Sequence, residues 1–319
     1  VGAAGDRAGG GGLEVATAFL RGLRGGLDAG LGLPEALARS ASGLPRGARD
    51  RARGLARRLD GEYQEDEWGF DAEFRDAIEP FFDFLYDAWW RVRVSGVENV
   101  PGHGRALLAA NHAGILPWDA TMVSVGLMRE HPLPRQPRFL VLDWAFELPF
   151  VSATVRKVGG VVASPYNALR LLDQDELVAV FPEGVSGMAK PFSERYHLQR
   201  FGRGGFVEIA LRAGAPIVPV AVVGSEEIYP KLGESAALAR LLGTPFFPLT
   251  PLFPWLGPLG AIPLPSRWRI EFCPPIETAS HGPAGADDRG LVLELSERVR
   301  QTIQQTVLEN VVKRRGTFV

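Results

Sequence analysis

The sequence predicts an α/β fold: a mostly parallel central sheet flanked by helices, with an N-terminal helical appendage. Three observations carry this expectation. From Val92 onward, short apolar runs alternate with helical patterns, the order that builds parallel sheets covered by helices. The 319 residues are 46% hydrophobic and 23% charged, enough for one large core and a small addition. Ahead of residue 70 the composition shifts to Gly, Ala and Arg without a comparable strand pattern. The chain is therefore divided into residues 1–70, a flexible helical appendage, and residues 71–319, the main domain.

Within the appendage, helical patches read at Leu13–Leu23 and Pro34–Ala41. The basic run from Arg46 to Arg58 has helical spacing interrupted by glycines. It reads either as a solvated arm or as a segment drawn to anionic lipid head groups. The acidic stretch from Glu62 to Asp71 offers it partners. Next, Phe74, Ile78, Phe81, Phe82, Leu85, Trp89 and Trp90 recur at three- and four-residue steps. They predict one long amphipathic helix from Asp71 to Arg91, with a kink available at Pro80. Core packing accounts for such a face, and an acyl-chain or membrane contact is the sharper alternative.

Strands then read at Arg91–Ser95, Arg105–Ala110, Arg138–Asp143, Gly160–Ala163, Leu177–Phe181, Ile217–Val223 and Trp268–Phe272. Helices read at Asp119–Met128, Phe150–Lys157, Tyr166–Leu172, Gly205–Ala213 and Gly290–Leu308. Gly214 is placed to cap the fourth of these. In the last, Leu291, Leu293, Leu295, Val299, Ile303, Val307 and Val311 are expected to pack onto the domain.

A net charge of −2 leaves no footprint for nucleic acid. The single cysteine, Cys273, excludes an internal disulfide framework and reads as an ordinary core residue. No N-terminal stretch joins a basic start to a continuous apolar core, so a cytoplasmic protein is expected. From Leu241 to Ser266 the chain carries no charge, but seven prolines rule out a membrane-spanning helix. This loop either packs on the protein's own core or dips Phe246, Phe247, Phe253 and Trp255 into a membrane interface.

Two segments carry chemistry. The apolar run Ala106–Ala110 delivers Asn111 and His112 into a Gly/Pro turn, with Asp119 downstream. A histidine held by a carboxylate can take a proton from an alcohol, because the carboxylate fixes the ring tautomer and stabilises the imidazolium. The second run, Glu176–Val180, ends in Phe181-Pro182-Glu183-Gly184. Both stand at strand ends, where α/β sheets bind ligands. Of the five histidines, His112 alone follows a buried-looking strand with a carboxylate close behind.

These blocks resemble the glycerolipid acyltransferases, typified by lysophosphatidate acyltransferase. Val97-Glu98-Asn99-Val100-Pro101 before the histidine and Ala215-Pro216-Ile217-Val218-Pro219-Val220 after the glutamate extend the resemblance across Trp90 to Pro275. It implies a glycerol-phosphate acyltransferase-like fold and a general base at His112, oriented by Asp119. It also implies an acceptor held by Glu183 and Gly184, with Asn111 beside them orienting the turn or helping the oxyanion. The chain departs from the family in two places. Six residues separate His112 from Asp119 where the family has four, a spacing similar to the diacylglycerol and monoacylglycerol acyltransferase-like branch. The stretches Val158–Ser164 and Val185–Gly187 also lack the arginines that resemble phosphate ligands. Lys190, Arg195, Arg200 and Arg203 either serve solubility or replace them on the phosphates of coenzyme A or a lipid.

The expected activity is transfer of an acyl group from acyl-CoA or an acyl-carrier protein to a lysophospholipid or neutral glycerolipid hydroxyl. It needs no cofactor or metal, and it would take place on a membrane surface with the protein bound peripherally. Two other readings stay open: a non-catalytic lipid-binding protein on the same fold, and a serine esterase using Ser186, whose surroundings only approach a G-x-S-x-G elbow.

Overall fold

Seven short runs, five of them rich in Val, Leu, Ile or Ala, become the seven strands of one sheet in the computed structural model. The structure describes residues 8–61, 64–112, 116–147, 151–244, 246–314 and 316–318. The strands are β1 (Arg93–Ser95), β2 (Ala106–Ala110), β3 (Arg138–Val141), β4 (Gly160–Val162), β5 (Leu177–Val180), β6 (Ile217–Val223) and β9 (Arg269–Phe272). A separate two-stranded ribbon, β7 (Gly233–Glu234) with β8 (Pro248–Leu249), is too short to leave an alternating pattern and was not anticipated.

The sheet order is β1-β9-β6-β2-β5-β3-β4. β6, β2, β5, β3 and β4 run parallel, while β9 and its parallel neighbour β1 run against them. β2, β5 and β6 are buried along their whole length, as expected of strands covered on both faces. Helices α5 (Trp118–Glu130), α8 (Pro165–Asp173), α10 (Gly205–Ala213) and α12 (Arg289–Lys313) supply most of the cover. Shorter helices α6 (Trp144–Glu147), α7 (Val151–Lys157), α9 (Val185–Met188) and α11 (Ala236–Leu242) lie between them. Gly214 closes α10 as anticipated. Cys273 is buried, and that burial raises its thiol pKa.

The chain divides into two compact units, Val1–Pro80 with Arg156–Val158, and Phe81–Val155 with Gly159–Val319. In the first, α1 (Ala8–Asp28), α2 (Leu33–Ser40) and α3 (Arg46–Leu59) follow one another. The basic helix α3 finds acidic partners: Arg58 pairs with the buried Asp71, and Arg57 with Glu73. Lys157 stands 3.3 Å from Glu65 and 3.8 Å from Asp71, so Asp71 draws two cations.

The helix expected over Asp71–Arg91 runs from Ala72 to Trp89, with its last turn widened. α4 (Ala72–Phe84) runs on through Pro80, and a π turn over Leu85–Trp89 follows, closed by Trp90 N–H to the Leu85 carbonyl at 2.8 Å. The wider turn rotates Trp90 into the core, where it is fully buried. Its ring stacks on Trp268 at 4.9 Å and meets Trp118 edge-on at 5.5 Å. Phe81 and Phe84 face outward instead, each about half exposed. In α12 the buried stripe is Val292, Leu295, Val299, Ile303 and Val307. Leu293 is exposed because a 3.6-residue period carries it to the far side.

Trp90→Ala removes a fully buried ring packed between Trp268 and Trp118. Urea unfolding is expected to show a loss of about 3–5 kcal/mol, and a loss under about 1 kcal/mol would mean the site collapses around the gap.

Candidate active site

Strand register assembles the site. Ala109 of β2 pairs with Val180 of β5, so His112 and Glu183, three residues beyond each, meet at the same edge. The His112 backbone N–H donates to Glu183 Oε1 at 2.9 Å. On the other side Ala110 pairs with Val220 of β6, and Asn111 continues the pairing with its side chain. Its Oδ1 accepts from Val222 N–H at 2.7 Å and its Nδ2 donates to the Val222 carbonyl at 2.9 Å. Asn111 is fully buried in this exchange, which fixes the turn.

His112 Nδ1 lies 2.6 Å from Asp119 Oδ2, and both side chains are buried. Asp119 stands in the first turn of α5, where exposed helix N–H groups favour a carboxylate, and its Oδ1 accepts from Ala120 N–H at 2.9 Å. The six-residue spacing therefore still allows the His112–Asp119 pairing, although residues 113–115 lie outside the described residues. The imidazole stacks on Phe181 at 4.4 Å. Its Nε2 has no hydrogen-bond partner among the described residues. A ring fixed at Nδ1, stacked on one face and unengaged at Nε2 can accept a proton there.

Glu183 is a buried carboxylate with three partners. Besides His112, it accepts from Gln199 N–H at 2.6 Å and lies 3.3 Å from Lys190 Nζ. Lys190 is itself buried and donates to the His197 carbonyl at 3.1 Å. The four cations proposed for phosphate thus fall in different surroundings. Lys190 turns inward to Glu183, Arg195 lies over the Phe192 and Tyr196 rings, and Arg200 and Arg203 are exposed.

The FPEG turn leads into α9 through Gly184, at φ +56° and ψ −142°. A Cβ there would meet nothing within 4 Å, so the backbone conformation demands the glycine. Gly187 is the closer constraint. A Cβ on it would lie 2.6 Å from the His112 carbonyl oxygen and 2.8 Å from Glu183 Cβ. Ser186 is exposed and makes no hydrogen bond to His112 among the described residues, which removes the geometry a serine nucleophile needs.

Beyond β6 the turn Ser225-Glu226-Glu227, also buried, reaches this edge. Glu227 pairs with Arg314 and the Tyr196 hydroxyl. Neither Glu226 oxygen has a partner among the described residues. Burial first, then the Glu227 charge, pushes the Glu226 carboxyl from 4.5 up to about 8. Sequence reasoning missed Gly187, Lys190's inward turn and this acidic pair. A double glutamate separated by two residues from an all-apolar strand was the available signal.

A Mycobacterium tuberculosis protein, named only as uncharacterized, is 52% identical over 265 residues, spanning 83% of this chain and 74% of the relative. A family model described as acyltransferase matches residues 91–223, the stretch that holds both blocks. The chain belongs to the acyltransferase family. This acyltransferase is also 22% identical over 233 residues (73% of it, 64% of the relative) to a Bos taurus protein named "DGAT1/2-independent enzyme synthesizing storage lipids". The 1-acyl-sn-glycerophosphate acyltransferase structure from Thermotoga maritima aligns over 93% of this chain and 97% of that one, with 17% identity and a TM-score of 0.47.

Two outcomes follow for the enzyme. Gly187→Ala pushes His112 aside by a fraction of an ångström or more, and kcat for acyl transfer is expected to fall by about 100-fold with the fold retained. An unchanged kcat would show that Gly187 does not hold the histidine. Glu226, with a folded value near 8 against 4.5 unfolded, keeps a proton that the unfolded chain has lost. Stability therefore falls as pH rises through that window. Glu226→Gln should gain over the wild type across it and level off above, as read by thermal melts at about pH 5, 7 and 9. A constant difference would sink the assignment.

Proposed function

We propose that this acyltransferase moves an acyl group from acyl-CoA or an acyl-carrier protein to a lipid hydroxyl, with His112 as general base. The observation that carries this reading is the 2.6 Å His112–Asp119 contact, with no hydrogen-bond partner at Nε2 among the described residues. The acceptor O–H gives its proton to Nε2, and its oxygen attacks the thioester carbonyl carbon. Asp119 stabilises the imidazolium that forms. The tetrahedral intermediate then breaks its C–S bond, and the imidazolium returns the proton to the departing sulfur. No acyl-enzyme forms, and no metal takes part. Glu183 acts mainly by holding the His112 backbone, and Gly184 shapes the turn beside it.

The acceptor is a lysophospholipid or a neutral glycerolipid. The missing arginines after β4 and after Gly184 favour the neutral class, as does the likeness to a bovine enzyme named for storage lipids. Peripheral membrane contact is part of the proposal. No described helix is long and apolar enough to cross a membrane. The proline-rich loop instead turns Trp255, Leu256, Leu259 and Ile262 to the surface, with Trp255 72% exposed. Exposed apolar side chains grouped in one loop suit a lipid interface.

Radiolabelled acyl-CoA and acyl-carrier protein, offered with lysophosphatidate, other lysophospholipids, monoacylglycerol and diacylglycerol, test the reading. Wild type is expected to label at least one acceptor, and His112→Ala to lose about 10²–10⁴-fold in rate. Transfer that survives in His112→Ala removes the histidine from the chemistry. No transfer from either donor by the folded protein would leave a lipid-binding role.

A further inference from the structure

The first residues of β1 and β9 border a cavity of about 660 Å³ that the reaction above does not use. Its walls carry Arg91, Arg93, Arg267, Arg269, Lys313 and Arg314, and Asp87 is the single carboxylate among the lining residues. Asp87 already accepts from Arg129 at 2.9 Å. Glu309, 3.5 Å from Lys313, and Glu227, paired with Arg314, offset only part of the positive charge. Arg91 donates to the Phe318 carbonyl at 2.8 Å, while its Nε is buried with no partner among the described residues. Arg93 stands exposed at the head of β1. Six cations around one hollow give it a strongly positive lining that suits an anion.

The cavity is placed to serve the active site. Arg93 pairs with Arg269, and Arg269 stands opposite Val223, the last residue of β6. Because β1 and β9 run against the other strands, their first residues share the edge that holds His112. β1 lies three strands from β2 in the sheet, about 14 Å at ordinary strand spacing. Arg314 also reaches the Tyr196 hydroxyl at 2.6 Å, and Tyr196 belongs to the segment that brings Lys190 to Glu183.

We propose that this cavity binds the phosphate of an anionic ligand. Guanidinium groups offer paired donors that match phosphate oxygens, and five arginines line this cavity together with Lys313. Two sources present that chemistry: the phosphorylated adenosine diphosphate end of a CoA thioester, and the head group of an anionic phospholipid. The first source rests on the donor proposed above; the phosphate site itself does not. These cations, and not the segment from Lys190 to Arg203, then take the place of the missing family arginines.

Calorimetric titration of the full chain with pyrophosphate and with CoA, and co-sedimentation with phosphatidylglycerol vesicles, test the proposal without turnover. Arg93→Glu and Lys313→Glu change exposed side chains, so circular dichroism is expected to match the wild type. Each should weaken pyrophosphate binding about tenfold or more, while Arg203→Glu leaves it unchanged. A parallel loss for CoA alone identifies the nucleotide source, and a parallel loss for vesicles alone identifies the lipid. Pyrophosphate that fails to bind the wild type, binds both cavity variants equally well, or is lost only in Arg203→Glu overturns the proposal. A chain that binds CoA through the cavity yet transfers no acyl group would count against the acyl-transfer reading and leave the site standing.

Discussion

A carboxylate removed from water must be satisfied where it stands, and Glu183 meets that demand with the parts that build the site. Its oxygens take the His112 and Gln199 backbone N–H groups and face the Lys190 ammonium. Leaving such a charge unpaired costs several kcal/mol, on the order of 3–5, so the ends of β2 and β5 and the segment after α9 are bound to one point. This arrangement also explains why Lys190 is inward. Its charge balances Glu183 and is not on offer to a substrate.

Asn111 makes the matching tie on the other side. By exchanging two hydrogen bonds with Val222, one side chain extends the β2–β6 pairing past the last residue of the strand. His112 is thus clamped between two neighbouring strands at its backbone before its ring meets Asp119. Phe181 then limits the ring on one face, and Gly187 lets α9 close against its backbone. The restraints come from β6, from the turn after β5, from α5 and from α9.

Much of this was legible beforehand. All seven strands of the sheet were read within two residues at each end, because runs such as Ile217–Val223 are apolar throughout and bounded by Gly or Pro. His112, Asp119 and Glu183 were singled out and do come together. The rest depended on tertiary register or on backbone geometry that leaves no pattern. The π turn at Leu85–Trp89 leaves no sequence signal, and Phe81, read as part of the apolar face, is half exposed. Glu183 as a backbone anchor follows from the pairing of Ala109 with Val180, which no single segment reveals. The basic cavity draws its cations from β1, β9 and the end of α12, far apart along the chain.

His112 belongs to the end of a strand and Asp119 to the start of a helix, with only the connection between them free to vary. The distance between the two side chains is set by where β2 and α5 pack, and the number of intervening residues is left nearly neutral. A loop here can lengthen or shorten over evolutionary time without parting the pair. Recognition of such enzymes by a fixed residue count will therefore overlook members whose geometry is intact, whereas matching the strand end and helix start will find them.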